Sequence, residues 1–232
     1  MIKYYLAFIG ILINTTSIYS QKPNPISMYI DLTSIKAQKN SELFNIDTID
    51  NEQVIILEGN QYNNEIDPFT GMEKDNSRGA KVMLLGEVQG DYLMTVEMKF
   101  LGINLDDCPR CGWFGYAIRA QDFDNFEAVW FMPGGGGESN TVAYIPIAHG
   151  IGPYWSEAYN KSEKGNVKLP KNDWFKTKAV VKGKDISIYV DDNLVLKKKA
   201  SYYLTTGTPG IFIGTATDAA FRRIRIEQIV SK

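Results

Sequence analysis

Arg119, Glu127 and His149 are the side chains in this sequence best suited to bind a polar ligand or move a proton. By period-two alternation, Arg119 shares a strand face with Trp113, Gly115 and Ala117. A floor of small residues with an arginine and a tryptophan at its ends makes a shallow groove, and a guanidinium there gives forked hydrogen bonds to hydroxyls, carboxylates or sulfates. The alternative is an arginine paired with Asp122 or Glu127 at a sheet edge. Glu127 alternates with Trp130. It falls with Val129 and Phe131, whereas Trp130 falls with Phe126 and Ala128, a set that reads as core. His149, the sole histidine, stands between Ala148 and Gly150 in a loop pattern. An imidazole serves as general acid, general base or metal ligand near neutral pH, or is simply an exposed loop residue. Tyr154, Trp155 and Glu157 follow closely. Flat rings suit the C–H faces of sugars and a carboxylate accepts from hydroxyls; the same residues also make a plug that pins a loop to the body of the protein.

Cys108 and Cys111 lie in Asp-Asp-Cys-Pro-Arg-Cys-Gly. In an oxidising compartment a local disulfide is the default, with free thiols or a metal or redox role as alternatives. No second Cys/His pair completes a zinc site. Gly134 to Gly137 lack the Lys-Ser/Thr pair of a phosphate loop and read as a hairpin tip. The sequence names no metal or cofactor.

The elements that must position these residues are strands. Met94, Val96, Met98 and Phe100 alternate with Thr95, Glu97 and Lys99, and Ile186, Ile188 and Val190 alternate with Ser187, Tyr189 and Asp191. This pattern puts one face on a core and the other toward solvent or ligand, which argues for antiparallel sheets. Strands are predicted at 27–31, 53–58, 81–87, 92–101, 113–120, 126–132, 141–147, 174–182, 185–191, 194–198, 210–214 and 221–229, with no convincing helical period. Many short strands without helices give a sandwich or barrel. Asn60 to Arg78 and Pro133 to Pro170 read as long loops, of the kind that carry function.

Lys3, the apolar run of ten residues from Tyr4 to Ile13 and the polar stretch Asn14 to Ser20 read as an export signal cleaved before Gln21. The expectation is therefore an exported protein, periplasmic or extracellular, with residues 21–232 as one domain. The run is too short to span a bilayer as a helix, and no later segment approaches that length. With 25 Lys plus Arg against 27 Asp plus Glu, no broad basic field exists for a phosphate backbone, which argues against nucleic acid as partner.

Three pieces occur in order: Gly90 to Phe100; Gly115-Tyr116-Ala117-Ile118-Arg119-Ala120-Gln121-Asp122 followed by Asn125 to Val129; and Asp173-Trp174-Phe175-Lys176 running to Asp191-Asp192. Gly207 to Gly214 and Ala220 to Ile226 complete the series. This order resembles the concanavalin A-like lectin/glucanase superfamily, and within it the 3-keto-disaccharide hydrolase-like domain. The resemblance covers roughly Gly79 to Gln228. It implies an all-β antiparallel sandwich, a jelly roll, with a carbohydrate ligand. It implies either a hydrolase or lyase acting on a sugar glycoside, or a non-catalytic carbohydrate-binding module. His149, Glu127 and Glu157 would handle protons, while Arg119, Trp113, Gln121, Tyr154 and Trp155 would hold the sugar. The Glu-x-Asp-x-x-Glu run of retaining glucanases is absent. Glu97 stands alone, which argues against that mechanism.

Overall fold

The computed structural model describes residues 27–30, 44–59, 71, 81–86, 90–103, 112–133, 140–149, 164–200, 204, 206–214 and 216–230. Residues 1–20, Cys108, Cys111, Gly134 to Gly137, Tyr154, Trp155 and Glu157 lie outside them. In chain order the strands are β1 (Ser27–Tyr29), β2 (Asn45–Ile49), β3 (Glu52–Glu58), β4 (Lys81–Leu84), β5 (Tyr92–Ile103), β6 (Phe114–Ala120) and β7 (Phe126–Met132). They continue with β8 (Thr141–Ile147), β9 (Lys164–Asn166), β10 (Phe175–Lys182), β11 (Asp185–Val190), β12 (Asn193–Lys199), β13 (Thr208–Ile213) and β14 (Thr217–Gln228). No helix occurs among the described residues, and none there is long and apolar enough to cross a membrane.

The strands form two antiparallel sheets. One has eight strands in the order β12-β11-β10-β5-β14-β3-β2, with β1 added alongside β14; the other has six, in the order β4-β13-β6-β7-β8-β9. The alternation read from β5 holds: Tyr92, Met94, Val96 and Met98 are buried and the intervening residues half-exposed. Phe114, Tyr116 and Ile118 of β6, Val129 and Phe131 of β7, and Tyr144 of β8 meet Met98, Phe175, Ile188 and Phe221 from the larger sheet in one core. Full burial of each such side chain is worth about 1.5–3 kcal/mol. Across the sheets the Tyr116 hydroxyl lies 2.5 Å from Thr177 Oγ1, which in turn donates to Val96 O at 2.9 Å.

Two strands escape the sequence reading. β2 is mostly exposed and pairs with β3 through Asp50 and Asn51, which have φ of 54° and 63°. Two positive φ values in a two-residue loop are the mark of a type I′ hairpin. β9 lies inside the stretch read as a long loop and pairs with β8.

Candidate functional site

The outer face of the six-stranded sheet is apolar, in contrast to that of its partner. The cross-strand register lays out two neighbouring rows there. One runs Phe212–Gly115–Trp130–Ala143, the other Leu84–Gly210–Ala117–Ala128–Ile145. Gly210, Ala117 and Ala128 thus make a trench floor across three strands, and Phe212, Phe126 and Trp130 fill the trench: the Phe126 and Phe212 rings meet over the floor with centroids 5.5 Å apart, and floor and rings alike are buried. Half-buried Trp113 closes the aromatic end, with ring centroids 5.2 Å from Phe212 and 6.3 Å from Trp130. Gly214 leaves room for that indole, since a Cβ there would lie 2.2 Å from Trp113 Cε2. The Trp130 indole N–H is buried among these rings with no hydrogen-bond partner. A buried donor left unmade costs about 1–3 kcal/mol.

The alternation of β7 is as expected, and Trp130, Phe126 and Ala128 are packed in a hydrophobic cluster as read; what the structure adds is that this cluster lies on the outer face of the sheet. Glu127, Val129 and Phe131 point between the sheets. Arg119 is corrected: it does not share a face with Trp113 and Ala117. Thr208 pairs with Ala120 and Gly210 with Ala117, so Ile118 and Arg119 together oppose the single Pro209. Arg119 takes up this bulge with φ 50°. Its side chain turns into the sandwich and is fully buried beside fully buried Glu127. Arg119 Nε stands 3.3 Å from Glu127 Oε2, and Arg119 Nη1 donates to Leu204 O at 2.6 Å. The Tyr144 hydroxyl donates to Glu127 Oε1 at 2.9 Å. Burial pushes the Glu127 carboxyl above its ordinary range, while the Arg119 charge and the Tyr144 hydrogen bond pull it back. Burial likewise pushes the neighbouring Tyr92 phenol up, opposed by Arg119.

Gln121 continues from β6 and donates to Thr206 O at 2.6 Å and, more weakly, to Arg119 O at 3.3 Å. Arg119 and Gln121 thereby tie the chain before β13 to the end of β6. Gly207 is required there, because a Cβ would lie 2.4 Å from Arg119 C and O. His149, exposed and at φ 53°, donates its backbone N–H to Asn125 Oδ1 at 3.1 Å. Since Phe126 pairs with Ile147, His149 stands at the same end of the sheet as Arg119, Gln121 and Glu127. The structure thus gathers four of the sequence-derived residues at one rim, two beneath it and two upon it, and leaves Trp113 at the far end of the trench. Sequence reasoning missed Phe212 and Asn125. Nothing in Gly-Ile-Phe-Ile-Gly tells which isoleucine or phenylalanine faces outward, and Asn125 reads as a turn residue only. Among the described residues no group of three or more His, Cys, Asp or Glu is placed to hold a metal ion.

No family model and no curated protein matches the sequence. Solved structures do match. A carbohydrate binding module, CBM66 from Bacillus subtilis, aligns at 13% identity and a TM-score of 0.53, covering 78% of this chain and 91% of that one. CG-16, a homodimeric agglutinin from chicken liver, aligns at 12% identity and 0.46, covering 63% and 98%. A toad ovary galectin in complex with thio-digalactose aligns at 12% and 0.47, covering 63% and 97%. At such identities the likeness is one of fold: the chain is an antiparallel jelly-roll sandwich.

Proposed function

We propose that this chain is an exported carbohydrate-binding jelly roll that takes its sugar at the half-buried Trp113 end of the filled trench on the outer face of the six-stranded sheet. One observation carries the reading: a buried indole N–H on Trp130 without a partner, set beside a floor of small side chains and a half-buried second tryptophan. Trp113 offers a stacking surface to the apolar face of a pyranose, and the Trp130 indole N–H, buried beside it, is a donor that a sugar oxygen reaching past Trp113 would satisfy. The fold likeness to a carbohydrate binding module supports the same reading. Export is supported by Lys3 and the apolar run behind it.

Binding is preferred to hydrolysis because Glu127 is fully buried, with its oxygens turned to Arg119 and Tyr144 rather than to a ligand. The 3-keto-disaccharide hydrolase-like reading would need that carboxyl, or Glu157, presented to a glycosidic oxygen. The test is a glycan array followed by titration of Trp130→Phe, which keeps an aromatic ring but removes the indole N–H donor. Measured well below the melting temperature of the variant, affinity is expected to fall roughly fivefold to tenfold, the worth of one hydrogen bond. Trp113→Ala is expected to abolish binding. Wild-type affinity in both variants would sink the site. Cleavage of a glycoside that stops in His149→Ala would replace binding with hydrolysis.

A further inference from the structure

The outer face of the eight-stranded sheet carries an ordered row of its own. Tyr189 pairs with Lys178, Lys178 with Thr95, Thr95 with Arg225, and Arg225 with Tyr29, all as direct cross-strand partners. The row crosses β11, β10, β5, β14 and β1. Four strand spacings of about 4.8 Å put its two tyrosines about 19 Å apart. It is symmetric in chemistry: aromatic, cation, hydroxyl, cation, aromatic. Lys178 Nζ sits 4.5 Å from the Tyr189 ring centroid and the Arg225 guanidinium 5.0 Å from that of Tyr29. Tyr29 is 68% exposed, so ring surface remains open beyond its cation. The neighbouring row repeats the theme, with Lys176–Glu97–Arg222 in register and Arg222 4.0 Å over the Trp174 ring.

We propose that this face is a second glycan-binding surface, distinct from the trench, and that its ligand is a chain of acidic sugars. The tyrosines supply stacking surfaces at each end, Lys178 and Arg225 supply charge for carboxylate or sulfate groups, and Thr95 supplies a hydroxyl between them. Each cation also holds an acid at its flank: Asp192 at 3.2 Å from Lys178, Glu227 at 2.8 Å from Arg225. Those carboxylates are acceptors for sugar hydroxyls, so each end of the row offers an acceptor beside its cation, which matches a glycan carrying hydroxyls next to its acidic groups better than a phosphate backbone without them.

The experiment titrates the full chain with oligogalacturonate and with dextran sulfate, each beside its neutral counterpart, methyl-esterified oligogalacturonate and plain dextran. At least one acidic probe is expected to bind roughly tenfold or more tighter than its counterpart and to weaken with added salt. Tyr29→Ala, Tyr189→Ala, Lys178→Gln and Arg225→Gln should each weaken it roughly fivefold or more, within the range of one stacking or cation–π contact. Tyr29 is exposed enough for its substitution to leave the fold intact. Trp130→Phe should leave this binding unchanged, which separates the outcome from that of the trench. Equal binding of acidic and neutral probes, binding of neither acidic probe, or indifference to all four substitutions would overturn the proposal. Tighter binding of an oligothymidylate, lost in the same variants, would overturn it in favour of single-stranded nucleic acid.

Discussion

Arg119 is fully buried and sits at φ 50°, a backbone region that non-glycine residues enter at a cost of about 1–3 kcal/mol. The bulge that imposes this angle is what turns its guanidinium toward Glu127 and Leu204. Period-two counting fails here because one extra residue flips every side chain beyond it to the other face. The pair makes a sharp prediction. Glu127→Ala leaves a buried guanidinium without its counter-charge and should cost about 3–5 kcal/mol, whereas Arg119→Met combined with Glu127→Leu should cost far less than the sum of the single changes. Chemical denaturation of the two single variants and the double variant checks this, and strict additivity would deny the coupling.

At the scale of elements, β6 is positioned by what it lacks. Gly115 lies between Phe212 and Trp130 in register, and a Cβ on it would stand 2.1 Å from Val129 O. The obstacle is backbone of a paired strand, which cannot swing aside. Gly115→Ala should therefore cost about 1–3 kcal/mol or more and loosen the β6–β7 seam on which the trench rests. Calorimetry reads the loss, and an unchanged melting temperature would show that the strands part freely. Most strands were readable because each carries an alternating apolar face. β2 was not, since an edge strand with an exposed face has few apolar residues to alternate, and its Asp50–Asn51 turn lacks the glycine that usually betrays a type I′ hairpin.

For the whole molecule, the two sheets share one core but present opposite outer surfaces. The six-stranded sheet buries apolar side chains on both faces, so β6 and β7 are buried at every position. The eight-stranded sheet turns a charged face outward, where Arg222 and Arg223 both engage Glu97. Burial opposes ionisation of that carboxyl, but the two arginines hold it below the usual glutamate range. Export concerns the whole chain as well. Intact-mass measurement of the secreted protein without reductant is expected to show loss of the first 20 residues and a Cys108–Cys111 disulfide. Retention of Met1 with two alkylatable thiols would overturn both expectations.

The amino-acid sequence by itself determined that this is an all-β protein of antiparallel strands, because alternation is local: neighbours two apart share a face whatever the strand pairs with; the choice of sandwich over barrel rested on the family resemblance. It also brought Arg119, Gln121, Glu127 and His149 forward by residue type and setting. Which side of each sheet meets the other was decided only in three dimensions, and so was the inward turn of Arg119. In β6 and β7 both faces are apolar, so no residue count can say whether Trp130 or Phe131 faces the second sheet. The two rows of the trench and the row from Tyr189 to Tyr29 exist only through register between strands distant in sequence. Register is fixed by the packing of the whole core, and no single strand carries that information.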